Sequence, residues 1–222
     1  MSMTDDVTAA MRGRIRFHEL LARPLLPWTR LALCAAVVPL VLSFAWPLWR
    51  IRLEAPQYPR GLTLDIYSYK VEGGGRGQHL AEINTLNHYI GMQKIDRAAL
   101  ADLGWIPFAV GILAVLALRV AAIGDVRALI DLAVLAGYLS LFSLGRFAYR
   151  LWVFGHDLAP DAPVKVKPFM PPLLGTKPIA NFHAESWPRA GGILLGAAVA
   201  AMVGLALWHL WRWWRVRDPG QS

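Results

Sequence analysis

The chain has 222 residues, 56% of them hydrophobic, and a formal net charge of +8; its mean hydropathy is +0.39. A water-soluble domain needs a polar exterior, so this composition excludes one. The single cysteine, Cys34, excludes an intrachain disulfide, a CxxC metal knuckle and a CxxCH haem attachment. The net positive charge is carried largely by arginines flanking the apolar segments and not by a basic, aromatic-interleaved domain, so nucleic acid is not an expected partner.

Residues 1–30 read as a cytoplasmic tail. Its amphipathic piece, Ile15 to Leu26, is broken by Pro24 and Pro27 and is expected on the inner membrane surface. Arg12, Arg14, Arg16, Arg23 and Arg30 favour the cytoplasmic side. Residues 31–49 carry no charge and form the first span, since a hydrocarbon core takes about 20 helical residues. No small-residue cleavage site follows, so the span reads as an anchor. Pro39 and Pro47 should kink it or fray its outer end, and Trp28, Trp46 and Trp49 look like interfacial belt residues.

Residues 50–104 are the first periplasmic segment. Leu62, Leu64 and Ile66 alternate with Thr63, Asp65 and Tyr67, which predicts a strand. The glycines at 73, 74, 75 and 77 predict a turn or a mobile loop. From His79 the period becomes helical. Leu80, Ile83, Leu86 and Ile90 make an apolar face, and Asn84, Asn87, His88 and Gly91 a polar one. A second short helix is expected over Arg97 to Leu103.

Residues 105–123 and 128–154 read as spans two and three, an antiparallel hairpin on a four-residue link. Arg146 and Arg150 can snorkel to the headgroups. Residues 155–188 are rich in proline and should form an extended periplasmic strap. The fourth span, 190–211, precedes a cytoplasmic tail, 212–222. Gly192, Gly196, Ala200 and Gly204 recur every four residues along it. Such a stripe lets helix backbones approach closely. It serves a homo- or hetero-oligomer, or packing against the chain's own spans, the commoner case. The expected fold is an all-α membrane protein, four transmembrane helices with a small periplasmic α/β cap. Both termini are expected in the cytoplasm.

Four of the six histidines, His79, His88, His156 and His183, fall in the periplasmic segments. His88 and Met92 are four apart and share a helix face. Imidazole with thioether suits copper, particularly Cu(I). His79, His156 and His183 could join them if the strap folds over the first segment. Against this, a lone His-x3-Met arises often by chance, and Asn84, Asn87 and His88 could instead bond the strap's carbonyls. His209 lies alone in the last span and reads as interfacial; no second membrane histidine stands at matching depth for a b-type haem. The scattered carboxylates form no acid–base pair. Neither a nucleophile elbow nor a phosphate loop is present, so no enzyme is expected.

The blocks INTLNHYIGMQKID, Ile83 to Asp96, and KVKPFMPPLLGTKPIANF, Lys165 to Phe182, resemble a family of small four-span bacterial inner-membrane proteins. That family is associated with respiratory copper-enzyme gene clusters, including those for nitrous-oxide reductase maturation. The resemblance implies a protein whose periplasmic face works near copper or cytochrome traffic; Met170 stands where that pattern leads one to expect a less distinctive residue. The leading expectation is an accessory protein for a respiratory copper enzyme. It would bind or hand over copper through His88, Met92 and a nearby histidine. The alternative is a non-catalytic structural subunit of a respiratory membrane complex. Either way the partners are membrane lipid and another membrane or periplasmic protein.

Overall fold

The computed structural model describes residues 18–96, 104–179 and 182–217, the side chains of 216 and 217 excepted. The helix expected over Arg97 to Leu103 and the start of the amphipathic piece at Ile15 lie outside the described residues. Residues 18–21 are helical. The chain forms two compact units. One draws on residues 1–39, 112–138 and 197–222, and the other on 40–111 and 139–196.

Among the described residues, four helices are long and apolar enough to cross a membrane, which fits a multi-pass membrane protein. They are α1, Pro27–Leu42; α3, Ile106–Ile123; α4, Val126–His156; and α5, Ala190–Arg217. Pro27 opens α1, where a missing N–H costs nothing. Pro39 does not stop it, but the α-helix ends at Leu42 and tightens into a 3-10 turn, Ser43–Ala45.

In the first unit, Gly124 and Asp125 join α3 to α4. A Cβ on Gly124 would come within 2.5 Å of the Val120 carbonyl oxygen, so only glycine permits the tight reversal. Asp125 caps α4, its Oδ1 accepting the Ala128 N–H at 2.9 Å. The N-terminal tail crosses this link, with the Val126 N–H donated to the Arg23 carbonyl at 3.0 Å. His209 is buried, and its Nε2 shares a hydrogen bond of 3.1 Å with the Thr29 hydroxyl, which is fully buried.

The second unit overturns the expectation of an all-α protein with a small cap. It holds a five-stranded antiparallel sheet in the order β3-β2-β1-β5-β4. The strands are β1, Trp49–Ala55; β2, Tyr58–Ile66; β3, Val71–Gly73; β4, Gly175–Ile179; and β5, Phe182–Pro188. Only part of β2 was expected from the sequence. Central β1 pairs with β2 through Ile51↔Leu64 and with β5 through Ile51↔Ser186. One sheet is thus built from two segments more than 100 residues apart. The second half of the expected strap is therefore a hairpin. Its prolines are compatible with this because β4 is an edge strand and Pro188 ends β5.

Strand alternation sorts the side chains. Ile51, Leu53, Leu62 and Leu64 turn inward, where Leu62, Leu64 and Ile83 form a buried cluster. Ile83 comes from α2, Gln78–Tyr89, which packs on β2 and β3. The opposite face carries Arg50, Arg52, Glu54 and Asp65. Arg50 grips Asp65 through two bonds of 2.6 Å, a bidentate pair. Those bonds hold the Arg50 guanidinium above its ordinary pKa, against the opposing effect of burial.

Candidate functional site

The entry to α2 is built around His79. β3 stops at Gly73, which would leave the next N–H of β2 open. Gly74 donates to the Thr63 carbonyl at 2.9 Å, and the Thr63 N–H donates to His79 Nδ1 at 3.1 Å. The imidazole thus closes the ladder and its Nδ1 is committed as an acceptor. Ideal Cβ atoms at Gly74 and Gly75 would lie 2.7 and 2.8 Å from the ring, and one at Gly73 only 2.4 Å from the Leu80 nitrogen. The glycine run forms the expected turn, a 3-10 turn over Gly75–Gly77, and leaves the space in which helix and ring seat.

Further along α2, Asn84 does not reach for the strap. Its Oδ1 accepts the Ile95 N–H at 2.8 Å and its Nδ2 donates to the Ile95 carbonyl at 3.1 Å. This closed pair pins the segment that returns after Gly91. Asn87, also expected on the strap, is buried and donates to the Gln93 carbonyl at 3.4 Å. The strap is held by backbone instead. The Ala159 and Val164 N–H groups donate to the carbonyls of Gly91 and Tyr89 at 2.8 and 2.9 Å. Gln93 adds a side-chain bond to Asp157 at 2.5 Å. Farther on, Ser186 links Trp49 to the strap. It accepts from the indole N–H at 2.7 Å and donates to the Leu173 carbonyl at 3.1 Å.

His88 is exposed and Met92 half-buried; both line an open groove of about 830 Å³ beside α2, together with Asn84 and Lys94. Of the other expected ligands, His79 lies at the start of α2 itself, and His156 and His183 lie on α4 and β5. His79 is tied to Thr63. His156 ends α4, stacked on Trp152 at 4.5 Å with its Nδ1 2.9 Å from the Trp152 carbonyl. His183 is exposed on β5, across from Glu54 and Pro178. Among the described residues no three His, Cys, Asp or Glu side chains gather where one metal ion could sit. A His–Met pair falls outside that description, so the groove retains two donors of the type copper takes.

Behind the groove lies a cavity of about 130 Å³. The inner face of the sheet, α2, the outer turns of α4 and the strap line it, and its wall is almost wholly apolar. No local pattern in the sequence announces it, because its wall is assembled from four separate stretches.

Among the described residues, the sheet unit carries an open groove beside α2 and an apolar pocket. Compared with family models, curated proteins and solved structures, the chain matches none. The association suggested by the two sequence blocks accordingly enters the function only as a proposal.

Proposed function

We propose that the protein is a non-catalytic subunit of a bacterial inner-membrane complex, with its sheet domain on the periplasmic side. The observation that carries this is the small-residue stripe of α5. Gly192 is used internally, its Cβ position 2.3 Å from the Leu48 carbonyl oxygen. Gly196 and Gly204 have nothing within 4 Å, and Ala200 is exposed. Three of the four small residues are open to a helix from another chain, where packing against the chain's own spans was the commoner expectation. In a bilayer, helix association relies on such close backbone approach. The short links also suit a docking platform. Three residues separate Ala45 from β1, and Arg189 alone separates β5 from α5. Pairing of β1 with β5 agrees with four crossings and both termini on the cytoplasmic side.

The test is disulfide trapping on a Cys34→Ala background. Cysteines at 196, 200 and 204 should trap a partner or a second copy. Gly196→Ile and Gly204→Ile should abolish trapping while leaving the monomer intact. Only monomer at all three positions in native membranes would refute the reading.

A second reading, copper handling in service of a respiratory enzyme, is favoured by His88 and Met92 sharing one groove. Metal analysis of the purified chain tests it. Copper bound no more tightly by wild type than by His88→Ala/Met92→Ala would remove it.

A further inference from the structure

The cavity behind the sheet is independent of the partner reading. β5 sets Ala184, 1% exposed, at its wall, between bulkier side chains such as Phe154, Phe169 and Phe182. A dry apolar cavity of roughly 150 Å³ takes up a benzene-sized molecule, whereas water needs two to four polar partners to stay. We infer that this cavity is a binding site for one apolar group of about six carbons, an acyl-chain end or an aryl ring.

The route in is also legible. Met92 and Ile95 line both the cavity and the open groove, so they stand between the two. Asn84 pins the Ile95 backbone on both its N–H and its carbonyl. Met92, unbranched and adaptable, is the movable part of the partition. Supply follows from α4. Its 31 residues reach about 46 Å at 1.5 Å each, against roughly 30 Å of hydrocarbon. The cavity touches only the last turns, at Phe147, Leu151 and Phe154, which places it near the bilayer surface. A fatty acid in the adjacent leaflet and a small aryl acid in water share the chemistry the cavity takes.

The experiment uses the full chain in lipid nanodiscs, with a palmitic acid carrying a photoactivatable diazirine at its chain end. Adducts mapped by mass spectrometry are expected between Phe147 and Phe154 and between Phe169 and Pro172. Ala184→Leu should cut them at least tenfold without lowering the thermal midpoint, and Leu86→Phe serves if that variant does not fold. Competition by unlabelled palmitate marks a bilayer-derived chain, and competition by phenylacetate marks a soluble aryl acid; either supports the site. Adducts confined to the spans, labelling unchanged by both filling variants, or labelling that neither competitor reduces would overturn it, leaving a packing void.

Discussion

Replacing Gly74 with alanine tests whether the glycine run exists to seat the His79 ring. At φ −60° and ψ −176° the backbone suits any residue, so the cost is steric. The added methyl would lie 2.1 Å from the Thr63 hydroxyl and 2.7 Å from His79 Nδ1. The hydroxyl can rotate away. The ring can yield only by releasing the Thr63 N–H, which sits in a partly buried ladder. Losing that bond costs about 1 kcal/mol, and a donor left without water adds roughly 1–3 kcal/mol. Gly74→Ala should therefore destabilise by about 2–3 kcal/mol, and His79→Ala, which lets water reach the amide, by about 1–2 kcal/mol. The double variant should resemble His79→Ala alone, because the methyl then occupies the vacated space. The assay is denaturant unfolding of the detergent-solubilised chain, with hydrogen exchange at the Thr63 amide. Each single change should speed that exchange about tenfold or more, since 1.4 kcal/mol is a factor of ten. Additivity within about 0.5 kcal/mol, or unchanged Thr63 exchange in His79→Ala, would refute the reasoning.

Other consequences follow from the same contacts. Asn84→Ala removes both bonds to Ile95 and should cost about 1–3 kcal/mol, read as faster exchange at the Ile95 amide with α2 intact. Gly155→Ala places a methyl on the Phe169 carbonyl, at 1.9 Å from its oxygen. The strap should detach there, visible as new proteolytic cleavage between 157 and 174. Ser186→Ala leaves the Trp49 indole and the Leu173 carbonyl without their shared partner. It should cost about 1–3 kcal/mol and shift tryptophan emission when compared with wild type. Thr29→Val keeps the shape but removes the bond to buried His209. Polar pairs between membrane helices average about 0.6 kcal/mol and reach roughly 1.7, so a steric-trap measurement should show a loss in that range.

The spans were legible because the bilayer demands a property any window reveals, about 20 apolar residues in a row. The Asp125 cap and the tight turn at Gly124 are likewise local and could have been read from the Gly-Asp pair. The alternation Arg50-Ile51-Arg52-Leu53-Glu54 was also in plain view, as was that of Phe182, Ala184 and Ser186. One adjoins a span and the other lies among prolines, contexts that mask a strand signal. What no local reading could supply is that these two stretches pair. β1 and β5 are joined by bonds across more than 100 residues, and without that pairing each would be the open edge of its own hairpin. The site shows the same division. His88 and Met92 do line one groove, but the helix face their spacing predicts is not formed, because α2 ends at Tyr89 and Gly91 turns at φ +78°, leaving Met92 beyond the helix. The bond from the Thr63 N–H to His79 Nδ1, by contrast, is made by tertiary structure and no spacing shows it. The stripe at Gly192, Gly196, Ala200 and Gly204 was written in the sequence. Which of its residues are covered was decided only by the fold, because coverage depends on where Leu48 passes. The cavity belongs wholly to tertiary structure, since an empty volume is a property of what four segments jointly fail to fill.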